Sequence, residues 1–98
     1  NHHIVNVSNP VRDQLKKYDV VGYICETDTF ATDRTLNEVQ ENDTLALLNA
    51  GAYGFTMSSQ YNSRFRPAEV LVYQGKAQLI RQRETMADIL KNQVLLEL

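Results

Sequence analysis

The most reactive side chains in this sequence stand together at Cys25 and Glu26, a thiol beside a carboxylate. They come directly after the apolar run Val20, Val21, Gly22, Tyr23, Ile24, and a rigid strand leading into a polar turn is a common way to hold a reactive group in place. The same cysteine also reads as a small apolar side chain closing a buried strand. A second group lies at residues 50–62, where Gly51 and Gly54 bracket Tyr53. Glycines let the backbone come close to a ligand while the phenol stands out from the turn, so the hydroxyl is a candidate donor to a phosphate. A buried tyrosine satisfied by backbone fits the segment equally well.

Other constellations are weaker. Tyr61 with Arg64, Phe65 and Arg66 interleaves aromatics and cations as a single-strand nucleic-acid groove does, but a solvated loop accounts for the same residues and the acidic overall balance opposes the groove. His2 and His3 are adjacent on an expected strand and point to opposite faces, with no ligand at metal spacing after them, so no metal site is expected. Ser58 and Ser59 have neither a glycine elbow nor a paired histidine, which leaves a hydrolytic nucleophile unsupported.

Short strands must position these residues. Alternation over residues 3–7 predicts a strand that Ser8, Asn9 and Pro10 end, and residues 11–17 read as a connection. Residues 18–24, rich in β-branched and aromatic side chains, predict a second strand. Residues 27–41 form a long, polar, acidic excursion tacked down by Phe30 and Leu36. Residues 44–48 suit a strand covered on both faces, and residues 69–73 and 76–82 a hairpin turning at Gln74 and Gly75. Thr85 and Asp88 make a capping-box pattern ahead of Met86, Ile89 and Leu90, and residues 94–98 either extend that helix or add an edge strand. Short strands without intervening helices cannot make parallel crossovers. The expected fold is therefore mainly β, a small antiparallel β-barrel with one or two short helices, which also removes exposed strand edges.

Ninety-eight residues make one small domain, 1–98, with little core to spare. Its hydrophobic content of 43% and charged content of 22% are those of an ordinary globular chain and exclude a disordered or fibrous one. A net charge of −2 leaves no electrostatic footprint for nucleic acid, and no apolar run approaches the roughly 18 residues needed to cross a bilayer. One cysteine cannot close an intrachain disulfide and no signal pattern opens the chain, so a cytoplasmic setting is expected. The start at Asn1, His2, His3, Ile4, within an apolar segment, suggests a piece of something larger.

Three blocks together carry a resemblance: VVGYICETDTF at residues 20–30, DTLALLNAGAYGFTMSSQYNSRFRPAEVLV at 43–72 and KAQLIRQRET at 76–85. In that order they cover most of the chain, and it resembles the carboxy-terminal domain of the diaminopimelate decarboxylase family of pyridoxal-phosphate enzymes. The AGAYGFTMSSQYNSRFRP run is the most specific part. The resemblance implies a β-barrel domain that completes the active site of a head-to-tail homodimer acting on a small amino-acid substrate. An amino-terminal α/β barrel would supply the Schiff-base lysine, and Lys16, Lys17, Lys76 and Lys91 lie outside the characteristic motifs.

By the same resemblance Cys25 and Glu26 reach the partner subunit's site, Tyr53 donates to the cofactor phosphate and contacts substrate, and Tyr61 lines the partner's substrate pocket. Cys25 is then an acid that returns a proton to Cα, since a thiol pKa can be tuned near the working pH. Glu26 pairs with the far ammonium of the substrate. The similar ornithine decarboxylases place aspartate after the cysteine, so glutamate favours diaminopimelate. The sequence departs from the usual Cys-Glu-Ser-x-Asp pattern: Thr27 replaces the serine and Asp28 stands one position early, which leaves the carried-over role of Asp28 open. Two alternatives remain, a decarboxylase of another basic amino acid or polyamine precursor and, from a different class, an oligonucleotide-binding barrel.

Overall fold

The computed structural model describes residues 2–11, 14–24 and 29–98. The chain divides into two units, Asn1–Ala50 and Gly51–Leu98. In the first, β1 (Ile4–Asn6) pairs antiparallel with β4 (Leu45–Leu47), and β2 (Leu15–Val21) with β3 (Thr29–Asn37). β1 lies beside β3, and Ile4 and Leu36, 3% and 5% exposed, are the buried apolar side chains among the described residues.

Asn6 is buried with them at 4% exposure. A carboxamide out of water needs partners for two donors and for its acceptor oxygen, and Asn6 finds four. Its Nδ2 donates to the Glu38 carbonyl and to Asp43 Oδ2, each at 3.2 Å, while Oδ1 accepts the amides of Ser8 at 3.1 Å and Asn9 at 3.2 Å. The turn after β3 is fixed by the same groups: Asp43 Oδ2 accepts the Gln40 amide, Asn9 Nδ2 donates to the Glu38 carbonyl, and the Tyr18 hydroxyl accepts the Val39 amide at 2.8 Å.

The β2–β3 ladder bends twice. Tyr18 pairs with Arg34 but Val20 with Ala31, so Thr32 and Asp33 face the single residue Asp19; Val21 then pairs with Thr29, which skips Phe30. Asp33 takes φ 52°, a left-handed conformation that aspartate tolerates better than most residues, and its amide donates to Asp19 Oδ1 at 2.9 Å. A bulge sharpens the local twist and re-aims the strand beyond it. Here it lies just before the segment that joins β2 to β3 and contains Cys25 and Glu26.

In the second unit α1 (Gly51–Gly54) is a single helical turn, succeeded by a 3-10 turn at Tyr61–Ser63, β5 (Glu69–Tyr73), β6 (Lys76–Arg81) and α2 (Met86–Leu90). β5 and β6 pair antiparallel through Gln74 at φ 51° and Gly75 at φ 75°, the left-handed pair that a two-residue hairpin requires. At α2 the Asp88 carboxylate accepts the Thr85 amide at 2.8 Å, the acid half of a capping box.

The mainly β expectation holds, as do the hairpin, the capping box and the strand near residue 4. The excursion at residues 27–41 does not: residues 29–37 are a strand. Its two bulges break the alternation by which a strand is recognised, and Phe30, expected to anchor it, is 57% exposed. β2 begins three residues earlier than expected, at Leu15, because its mostly exposed positions are held by ladder bonds rather than by burial. Residues 94–98 belong to neither helix nor strand. The strands among the described residues form three two-stranded antiparallel ladders.

This packing leads to two expected outcomes. Asn6→Ala removes the four side-chain hydrogen bonds that tie the Ser8 and Asn9 amides to the Glu38 carbonyl and Asp43, and urea unfolding should show about 1–3 kcal/mol of lost stability; an unchanged midpoint would contradict the network's role. Asp33→Val puts a β-branched residue in the left-handed region, at a strain of about 1–2 kcal/mol. Amide hydrogen exchange at Val20, Val21 and Ala31 should then quicken roughly tenfold, whereas Asp33→Gly should leave it no faster than in the parent.

Candidate functional site

Tyr53 sits on the α1 turn and is 69% exposed. Its hydroxyl has no hydrogen-bond partner among the described residues. The neighbouring backbone is equally open, since a Cβ added at Gly51 or Gly54 would meet nothing within 4 Å. A free O–H donor beside accessible peptide groups suits an anionic oxygen, so the segment fits a phosphate-bearing cofactor. Tyr61 opens the 3-10 turn and is also exposed, and its neighbours Asn62 and Ser63 take φ 57° and 59°.

The span joining the two tyrosines is firmly tied down. The guanidinium carbons of Arg66 and Arg81 each lie 3.9 Å from the centroid of the Phe55 ring. Two such groups cannot occupy one face at that distance, so the ring is sandwiched between them. Arg66 Nη2 donates to the Phe55 carbonyl at 3.0 Å and Nε to Ser58 Oγ at 3.1 Å. The Ser58 hydroxyl in turn donates to the Phe55 carbonyl. Glu84 binds the Arg66 amide at 2.8 Å and accepts both contacts from Gln60 Nε2, at 3.1 and 3.2 Å. Arg81 is oriented by Glu69 across the β5–β6 ladder. In the sequence Arg66 stands beside Phe65 as part of an interleaved motif; in the fold it stacks on Phe55 instead, 11 positions earlier, a pairing that no local spacing signals.

Cys25, Glu26 and Asp28 lie outside the described residues. Of the four lysines, Lys16 pairs with Glu38 at 2.8 Å, and that hydrogen bond, with the carboxylate's charge, raises its pKa above the ordinary lysine value. Such an amine stays an ammonium and is a poor nucleophile. An open groove of about 340 Å³ is lined by His3, Ile4, Val5, Leu15, Thr35 and neighbouring residues. It lies at the Leu15–Asn37 end of the β2–β3 ladder. Of the sequence-derived site residues that the structure describes, Tyr53 and Tyr61, it is lined by neither, and its walls are mainly apolar.

No helix among the described residues is long and apolar enough to cross a membrane. Comparison with known proteins points one way. Residues 1–51 match the family described as pyridoxal-dependent decarboxylase, C-terminal sheet domain. A diaminopimelate decarboxylase of Methanothermobacter thermautotrophicus is 55% identical over 93 residues, which is 94% of this chain and 22% of that protein. The crystal structure of a diaminopimelate decarboxylase from M. jannaschii superposes with a TM-score of 0.86 at 39% identity, over 96% of this chain and 21% of the other. That of the Helicobacter pylori enzyme complexed with L-lysine gives 0.79 at 36%, over 93% and 22%. The chain thus spans about a fifth of the length of these relatives. With one half of its sequence matched by the family and nearly all of its fold shared with solved members, it belongs to the C-terminal sheet domains of pyridoxal-dependent decarboxylases.

Proposed function

We propose that these 98 residues are the C-terminal domain of a diaminopimelate decarboxylase, which converts meso-2,6-diaminopimelate to L-lysine and carbon dioxide in the cytoplasm. The observation that carries this reading is the 55% identity, over 94% of the chain, to a protein of that name. A relative solved with L-lysine, the expected product, agrees with it. In the full-length protein the three ladders would close into a barrel with strands from the rest of the chain, and two subunits would share each site. The domain alone is inactive in this reading, since its four lysines lie outside the characteristic motifs of the family.

Pyridoxal phosphate, when bound, supplies the electron sink that accepts the electron pair left as carbon dioxide departs. The residues of this chain do the rest. Tyr53 donates its hydroxyl proton in a hydrogen bond to the phosphate and lies against the substrate. Cys25 gives a proton to Cα once the carboxylate has gone, and Tyr61 walls the substrate pocket of the partner subunit. Glu26 accepts from the distal ammonium of diaminopimelate, an interaction remote from the bond that breaks, so it selects the substrate by charge and length.

The role of Glu26 is tested in the full-length enzyme. Glu26→Ala should raise KM for diaminopimelate roughly tenfold or more, the scale of one charge-assisted hydrogen bond, while the affinity for pyridoxal phosphate stays within about twofold. An unchanged KM would remove Glu26 from the substrate site.

A further inference from the structure

The groups gathered around Phe55 are more than is needed to hold a surface loop. Between Tyr53 and Tyr61, three residues of the connecting span, Phe55, Ser58 and Gln60, are engaged by Arg66 and Glu84 from outside it, with Arg81 on the other face of the Phe55 ring. Arg66 takes the first two through its fork and its stacked plane, and Glu84 takes the third while also binding the Arg66 amide. The Glu84 amide returns to the Arg66 carbonyl at 3.2 Å, so the two residues are locked to each other by main chain as well. Arg66 is half-buried, and Phe55 is half-buried between two cations. Both tyrosines stay exposed at either end of this anchored span.

We infer that Arg66 is a positioning residue: by fixing Phe55 and Ser58 it sets where the Tyr53 hydroxyl stands for the cofactor phosphate and where Tyr61 stands for the substrate. This rests on the role given to Tyr53 above. The planar fork matters as much as the charge. A lysine ammonium cannot donate to the Phe55 carbonyl and Ser58 Oγ in one plane while lying flat on the ring. The Met57 amide donates to the Tyr53 carbonyl at 3.2 Å, so the α1 turn is continuous with the span that Arg66 holds, and slack at Phe55 passes directly to Tyr53.

The test measures the dissociation constant of pyridoxal phosphate for the full-length enzyme by cofactor absorbance, in Tyr53→Phe, Arg66→Lys and the double variant, with the melting temperature of each apoenzyme beside it. Tyr53→Phe and Arg66→Lys are each expected to weaken cofactor binding about tenfold, the worth of one hydrogen bond to a charged group. The double variant should lose no more than Tyr53→Phe alone, because Arg66 acts through that hydroxyl. KM for diaminopimelate should rise in Arg66→Lys through Tyr61 while kcat at saturation holds. If Arg66→Lys fails to fold, Phe55→Leu removes the stacked ring and carries the same cycle in the same direction. Wild-type affinity in Arg66→Lys beside a weakened Tyr53→Phe overturns the inference alone, as does a multiplicative loss in the double variant or a lowered melting temperature with unchanged cofactor affinity. Unchanged binding in Tyr53→Phe itself overturns the phosphate reading and this inference with it.

Discussion

Apolar burial is scarce in this domain, and polar side chains that bind backbone take its place. Ile4 and Leu36 are the buried apolar side chains among the described residues, against a long series of exposed valines, leucines and tyrosines. The shape of each turn therefore depends on a few hydrogen bonds from side chains to main chain, each a sizeable share of the stability of so small a core. Asn6 does this in the first unit and Arg66 in the second. Both act on main chain, which specifies geometry more tightly than contact between side chains.

That division separates the legible parts of the fold from the hidden ones. Features written in adjacent positions are legible: Gln74 and Gly75 for the hairpin, Thr85 and Asp88 for the helix start. Features made across the chain are not. β3 is hidden because Thr32, Asp33 and Phe30 interrupt its alternation, and its partner strand buries too little to show a pattern. The Arg66–Phe55 stack is set by how the segment folds back, and the order Arg64, Phe65, Arg66 suggests a different pairing altogether. Leu36 anchors its segment as expected, because a lone leucine in a polar stretch has little else to do.

The site itself is legible mainly through resemblance. Types and spacing single out Cys25, Glu26 and Tyr53, yet each admits a bland reading, and the roles proposed for them come from the resemblance of the blocks at residues 20–30 and 43–72. The fold adds a property that sequence lacks for Tyr53, namely an open hydroxyl on a turn whose neighbours are braced. For a pyridoxal-dependent decarboxylase domain, such bracing fits a division of labour in which the cofactor does the electronic work and protein groups need only stand in the right place.

The β5–β6 ribbon has a further consequence. Val70 and Val72 on one side and Leu71 and Tyr73 on the other are all exposed, and Leu79 and Ile80 on the facing strand are exposed as well. A two-stranded ribbon with oily surfaces above and below, and with unsatisfied peptide groups along its rims, is a template on which like ribbons stack. On its own in solution, this chain should therefore be limited by turbidity and self-association at rising concentration before it is limited by unfolding.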